Sequence, residues 1–475
     1  MGTGTALRPH RPQLRLSERK LLLAMGDLVA VAVAILLSLY IWSVVADEPY
    51  TLNFIGTQLV WFIVLPLVWF PLASAADFYD LRVAASRGKT LSRLLAIEAQ
   101  LVFVYLLVFF LSPRDALPRL FIFYYAVSSF AFIAVWRFAG FAVLGWASAP
   151  RRVLLVGAGW SAETLIEAIR SMAAQEYEVC GVIGTSGDVG VTVGSIPVIA
   201  VGDDLMRVIE REQITEVITT AADGVDGATF QGLMDALAHG VRILPMALLY
   251  EQITGRVPVE HVNNDWAVVF LPVSQHEGAL NLYFPLKRLI DSVLALAGLA
   301  VFALLLPFLA LAIRLNSRGS IFYRQERLGR SGEPFQIFKL RTMIDNAESV
   351  TGAVFAQKGD RRITSVGRFL RRTRLDEVPQ LYNVLRGDMS LVGPRPERPE
   401  HVSRLQQTIP FYRTRLAVRP GLTGWAQVRY HYGSTDEDAL VKLQYDLYYI
   451  RHSSLLLDFT IMLRTVGRVL SLSGV

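Results

Sequence analysis

The sequence predicts a multi-domain membrane protein. It has an N-terminal transmembrane four-helix bundle, a Rossmann-like α/β module, and a C-terminal α/β domain entered through a re-entrant membrane helix. Three observations carry this. Apolar residues make up 53% of the chain and charged ones only 19%, with a mean hydropathy of +0.39, too apolar for an ordinary soluble protein. Four apolar runs open the sequence, each reaching the ~20 residues that cross a bilayer. A fifth run, much later, is flanked by basic residues on both sides. The boundaries expected are 1–148 for the transmembrane unit, 149–247 for the module, 248–284 for a connector and 285–475 for the last domain, with the re-entrant helix at 287–314.

The opening runs are Leu21–Val45, Leu52–Leu72, Leu91–Leu111 and Leu120–Trp146. The first is too long for the core of a cleaved leader and reads as a retained anchor. Arg8, Arg11, Arg15, Arg19 and Lys20 precede it, and the following loop carries Asp47 and Glu48 but no basic residue. Arg82, Arg87 and Lys89 mark the next loop, and Arg151-Arg152 follow the fourth run. Basic loops stay in the cytoplasm, so both ends of the unit are expected there. Asp27 and Glu98 lie inside the runs, where a charge is costly in hydrocarbon.

At Arg151 the pattern changes to short apolar strands alternating with helices, the signature of a parallel, Rossmann-like sheet. Strands are expected at 152–156, 179–183, 217–220 and 241–244, and helices after Gly159 and near 203–212 and 227–239. The turn Gly157-Ala158-Gly159-Trp160-Ser161-Ala162 has the form of a dinucleotide-binding turn, but the acidic ribose partner expected after the second strand is not in place, Asp188 lying in a Gly-rich loop. A structural or regulatory module is the reading favoured there.

The fifth run, Leu289–Ile313, has Lys287 and Arg288 before it and Arg314, Arg318, Arg324, Arg327 and Arg330 after it. A simple span has one basic side, and Pro307 breaks or kinks a helix. A helix that enters the membrane and returns to the same face accounts for both. Residues 286–475 carry 28 Lys/Arg against 16 Asp/Glu, whereas the first 285 carry 19 against 25. The basic half suits an anionic partner such as phosphate or a lipid headgroup; no nucleic-acid motif accompanies the charge, so nucleic acid is not expected. One cysteine, Cys180, leaves no intrachain disulfide.

Two stretches after the membrane segment carry candidate chemistry. Lys339 and Arg341 alternate on an apparent strand, so they share a face and form a candidate diphosphate clamp. Asp376-Glu377 precede Pro379, which suits the first turn of a short helix and sets the carboxylates at its N-terminus. Adjacent carboxylates repel unless a cation joins them, and oxygen-only ligation suits magnesium. From these residues alone, capping the helix is as good an account of the pair.

Taken together, Lys287-Arg288-Leu-Ile-Asp291, Phe338-Lys339-Leu-Arg341-Thr-Met343, Leu375-Asp376-Glu377-Val-Pro-Gln-Leu381, Gly387-Asp388-Met-Ser-Leu-Val-Gly-Pro-Arg395-Pro396 and Arg419-Pro-Gly-Leu-Thr-Gly-Trp-Ala-Gln427 resemble the bacterial monotopic phosphoglycosyl transferases. The match spans about residues 280–475. With four preceding spans and a Rossmann-like module, the chain looks like the long hexose-1-phosphate transferase subfamily, and Tyr432 to Tyr449 looks like an exopolysaccharide-associated branch. Leu306 stands where some members have serine.

The resemblance implies an initiating transferase of exopolysaccharide, capsule or O-antigen assembly in the bacterial inner membrane, its catalytic domain on the cytoplasmic face. A hexose-1-phosphate, glucose or galactose by subfamily, would pass from a UDP-sugar to undecaprenyl phosphate with release of UMP. Asp376 would be the nucleophile and Glu377 a ligand of Mg2+, or of Mn2+ in its place, with Asp376 also counted among the metal ligands. Arg371 and Arg395 would contact phosphate or uridine, with Lys339 and Arg341 beside them. Arg288 and Asp291 would stabilise the re-entrant helix with Pro307. A homodimer is compatible with the family. The alternatives weighed are a membrane-anchored NAD enzyme acting on nucleotide-sugars, for which Tyr283-Phe-Pro-Leu-Lys287 offers a chance YxxxK match, and a non-catalytic membrane scaffold.

Overall fold

A computed structural model of the chain describes residues 16–84, 86–111, 120–144, 150–174, 176–220, 226–261, 282–344, 360, 362–430, 433 and 435–470. Arg8, Arg11, Arg15, the end of the fourth apolar run and most of the expected connector (262–281) lie outside the described residues.

The first part is helical. Helices α1 (Leu16–Val45), α2 (Trp61–Ala75), α3 (Arg87–Leu111) and α4 (Phe121–Leu144) share one core built on Val31, Ile35, Leu65, Trp69, Ile97 and Tyr125. Large apolar side chains such as Val29, Ile63, Phe103 and Val127 face outward. Among the described residues, three helical stretches, Leu21–Val45, Phe121–Ala139 and Tyr283–Asn316, are long and apolar enough to cross a membrane, and Trp61–Ala75 is a shorter apolar helix. The two acids inside the apolar runs both have partners. Asp27 accepts from Arg137 Nε at 3.0 Å, and Glu98 from Trp69 Nε1 at 3.3 Å. Arg137→Met is expected to lower stability by about 3–5 kcal/mol, because it strands a buried carboxylate without its counter-ion. Thermal unfolding in detergent measures this; an unchanged midpoint would mean the pair contributes nothing.

The module is a six-stranded sheet of β1 (Arg151–Val156), β2 (Tyr177–Gly184), β3 (Thr192–Val193), β4 (Ile196–Val201), β5 (Glu216–Thr219) and β6 (Arg242–Pro245), in the order β3-β4-β2-β1-β5-β6. All pairings are parallel except β3 with β4. Helices α5 (Trp160–Met172), α6 (Leu205–Glu212), α7 (Gly227–Ala238) and α8 (Met246–Thr254) complete it. The chain order reverses at β1, as in a doubly wound sheet. The sequence reading missed β3 and β4, whose Gly-rich approach and Pro197 read as loop. Asp188 accepts from the Thr185 backbone N–H and hydroxyl, closing a turn.

Helix α9 (Tyr283–Asn316) contains Pro307 in its second half and is helical on both sides of it. Its first turns hold the last domain tightly. Arg288 donates to the Val384 and Leu385 carbonyls at 2.5 and 2.7 Å. Asp291 accepts from Ser390 Oγ at 2.8 Å and Leu391 N at 3.2 Å. Tyr283 and Lys287, one helical turn apart, both donate to Asp458, at 3.0 and 2.8 Å. The YxxxK spacing is therefore a clamp on the start of the helix. The far end returns to the same domain: Phe302 and Ile313 pack with Leu340 and Leu370, and Asn316 donates to Ser365 at 3.0 Å.

The domain itself contains the antiparallel pair β7 (Phe322–Leu328) and β8 (Pro334–Leu340), helices α10 (Ser365–Thr373) and α11 (Leu381–Arg386), the small parallel pair β9 (Ser390–Val392) and β10 (Gly421–Thr423), and helices α12 (Asp436–His452) and α13 (Leu455–Leu470). It is joined to both earlier parts. Glu251 of α8, buried, accepts from Arg451 at 2.6 Å and sits 3.0 Å from His452 Nε2. Trp425 donates its indole N–H to the Gly255 carbonyl at 3.1 Å. Arg429 and Arg464 stack over the same ring, 4.6 and 5.3 Å from its centroid, and both pair with Asp77, just beyond α2.

Candidate active site

Two elements bring the candidate residues together. The first is β8, which ends in Lys339-Leu340. The second is the 3-10 turn Leu375–Gln380, entered through Arg374 in the left-handed region (φ 59°) and leading directly into α11. Asn383, fully buried on α11, locks the two: its Nδ2 donates to the Gln336 carbonyl at 2.8 Å and its Oδ1 accepts from Phe338 N at 3.3 Å. Lys339 is thereby held against the turn. Asp376 and Glu377 lie in the first part of the turn, as expected, but Pro379 is inside a 3-10 segment and the α-helix begins only at Leu381. Side-chain cations, not helix-end amides, meet the carboxylates.

Glu377 is the centre of charge. Lys339 Nζ and Arg395 Nη2 both donate to its Oε1, at 3.0 and 2.6 Å, and Arg374 Nη1 is 3.6 Å from Oε2. Burial disfavours its charge, yet Arg395 and Lys339 outweigh burial and hold the carboxyl well below the usual carboxylate range. Lys339 is shifted down by burial, with Glu377 opposing. Asp376 goes the other way. Burial pushes it up to about 6, and the charge of Glu377 pushes in the same direction. Its other neighbours, Lys339, Arg371 and Arg395, act on it through charge. The result is an anchored, ionised glutamate beside a less constrained aspartate.

Arg371 sits in the last turn of α10 and donates from Nε to Thr342 Oγ1 at 2.9 Å, close enough to bias Asp376. Arg395, between Pro394 and Pro396, is 37% exposed at its side chain, so it spans the buried acids and the surface. Arg341 does not join the group. The strand ends at Leu340, the expected alternation fails there, and its guanidinium donates to Arg318 O and Ser317 O at 2.7 and 2.8 Å. It caps the end of α9 instead. Arg288, Asp291 and Pro307 lie on α9, outside the cluster, with Arg288 and Asp291 holding the helix start. Arg374 was missed: it stands three residues before Glu377, but only its left-handed backbone aims it back.

Among the described residues no three His, Cys, Asp or Glu side chains gather as a metal site. A metal would find Asp376 and Glu377 and would complete its shell with water and phosphate oxygens, the habit of magnesium. The donor set fits that ion and not a zinc-like one. In chemical terms the site offers two buried carboxylates, with Lys339, Arg374 and Arg395 converging on one of them.

Comparisons with known proteins agree on the kind of protein this is similar to. The family described as bacterial sugar transferase matches residues 282–472, and one described as a CoA-binding domain matches residues 74–222. A glucose-1-phosphate transferase acting from UDP-glucose to undecaprenyl phosphate in Caulobacter vibrioides is 49% identical over 39% of this chain and 70% of its own length. A protein of the same description in Escherichia coli is 34% identical over 66% of this chain and 67% of its own. An Aeromonas hydrophila UDP-N-acetylgalactosamine-undecaprenyl-phosphate N-acetylgalactosaminephosphotransferase is 39% identical over 50% of this chain, and the alignment spans about half (54%) of that protein.

Proposed function

Because the chain belongs to the bacterial sugar transferase family, we propose that it transfers a hexose-1-phosphate from a UDP-sugar to undecaprenyl phosphate, as the initiating membrane step of polysaccharide assembly. The observation that carries the reading is the buried Asp376-Glu377 pair, with Glu377 gripped by Lys339 and Arg395 and Asp376 left for chemistry.

An Asp376 carboxylate oxygen attacks the phosphorus that bears the sugar. The new O–P bond forms as the bond to the UMP oxygen breaks, and UMP leaves with that oxygen. A phosphate oxygen of undecaprenyl phosphate then attacks the same phosphorus, the bond to Asp376 breaks, and the carboxylate is restored. Splitting one displacement into two is the logic of covalent catalysis. Arg395 and Lys339 stabilise the diphosphate charge, and Arg371 favours the ionised form of Asp376. Magnesium, when held by Asp376 and Glu377, would neutralise charge moving onto the leaving phosphate.

Helix α9 fits a re-entrant setting. Both of its ends bind the same α/β domain, while Leu289, Val293, Leu304, Phe308 and Leu315 form an exposed apolar face between them. A helix bent at Pro307, entering one leaflet and leaving by the same side, meets both conditions. It keeps Asp376 on the cytoplasmic face, where UDP-sugars are, and within reach of a lipid phosphate at the bilayer surface.

Purified protein in detergent, given undecaprenyl phosphate and magnesium, is expected to release UMP from one or two members of a panel of UDP-glucose, UDP-galactose and UDP-N-acetylgalactosamine. No UMP from any of them, with folded protein and carrier lipid present, would refute the reading.

A further inference from the structure

The loop that presents Arg395 is held in an unusual way. Pro394 and Pro396 fix their own φ and supply no N–H, so the segment cannot complete a strand ladder. Four consecutive carbonyls are instead satisfied from elsewhere. Pro394 O accepts from Gly421 N at 2.8 Å, and Glu397 O from Leu328 N at 3.0 Å. Arg395 O accepts from Arg415 Nη2 at 3.1 Å, and Pro396 O from Arg327 Nη1 at 3.1 Å.

The two arginines are themselves built in. Arg415, 5% exposed at its side chain, forms an ion pair with Asp446 at 2.8 Å and with Glu397 at 3.4 Å, and donates to Tyr412 Oη at 2.8 Å. Asp446 is buried in the middle of α12. Arg327 is on β7, donates to Gln325 Oε1 at 2.6 Å, and lies 3.9 Å from Glu397. A charged donor makes a hydrogen bond about twice as strong as a neutral one, so these two add an electrostatic hold on the loop that its amide bonds lack, although at 3.1 Å they are no shorter. A mobile loop would have to be ordered when Arg395 engages an anion, and a backbone already fixed avoids that cost.

We infer that Arg415 and Arg327 are positioning residues for the transferase: through the carbonyls of Arg395 and Pro396 they set the guanidinium of Arg395 for the sugar-nucleotide diphosphate. The inference rests on the proposed function, because it takes Arg395 to bind that diphosphate. Neither arginine needs to touch substrate.

The test combines kinetics with hydrogen exchange on the full chain in detergent. Arg327→Gln is the first variant, since Arg327 has no buried acid that depends on it alone; Arg415→Lys is the second, keeping the charge beside Asp446. Each is expected to raise KM for the UDP-sugar about fivefold to twentyfold, with kcat within about twofold. Exchange is expected to rise at the amides of Arg395 and Glu397 and to stay unchanged in α9 and α12. In the Arg395→Gln background, adding Arg327→Gln is expected to cause no further rise in KM. A further rise of the same factor, or exchange rising throughout the domain, would show a general structural role and overturn the inference. Unchanged exchange at the loop would overturn it as well. If the wild-type chain releases no UMP, the functional reading fails by itself, and the exchange measurement still decides whether the two arginines hold the loop.

Discussion

Asp376→Asn is expected to abolish the phosphosugar adduct and to reduce UMP release by about a thousandfold or more, the scale of loss when a covalent nucleophile is removed from a set of residues that act as a unit. The substitution is nearly isosteric, and it replaces a buried carboxylate whose charged form burial already disfavours, so the fold is expected to keep its stability. Glu377 keeps Lys339, Arg395 and Arg374, so binding of the UDP-sugar is expected to survive. The measurement is intact-protein mass after brief exposure to UDP-sugar and magnesium without carrier lipid. Wild type gains the mass of one hexose phosphate, and the variant gains nothing. A full-strength adduct in the variant would remove Asp376 from the nucleophile's role.

Glu377→Gln is the second large effect, and it differs in kind. The carboxylate balances three cations, and removing one partner from a buried charge cluster costs about 3–5 kcal/mol. This variant is therefore expected to melt lower than wild type, whereas Asp376→Asn is not. It is also expected to lower kcat about a hundredfold and to raise the magnesium concentration for half-maximal rate at least tenfold, since an amide is a poorer ligand for a hard cation. Titrating UMP release against magnesium, with unfolding measured in parallel, separates the two roles. A lower melting point with unchanged magnesium dependence would make Glu377 only the anchor of the cations.

Much of this arrangement was legible in the sequence because it depends on residues close together. The apolar runs, the alternation after Arg151, and the motifs holding Asp376, Glu377, Lys339 and Arg395 are local patterns. Failures came where backbone conformation or a distant partner decides the outcome. Alternation put Arg341 with Lys339, but the strand stops between them and Arg341 turns to the end of α9. The left-handed conformation of Arg374 has no sequence marker short of glycine or asparagine. Arg415 and Arg327 are 20 and 68 residues from Arg395, and no spacing rule joins them. Likewise, nothing near Tyr283 and Lys287 discloses that their shared partner is Asp458, more than 170 residues later in the chain.

The junction at Trp425 has a consequence for the order in which the protein is made. Asp77 waits just beyond α2 for Arg464, which lies 387 positions later, and α13, the last described helix, packs Leu463 against the core of the first four. Units generally fold from the N-terminus as they leave the ribosome. The early helices are therefore made with this seat uncovered, and it stays so while the next 387 positions are synthesised. Helix α13 then closes over it, so the junction can form only after the chain has been made as far as Arg464.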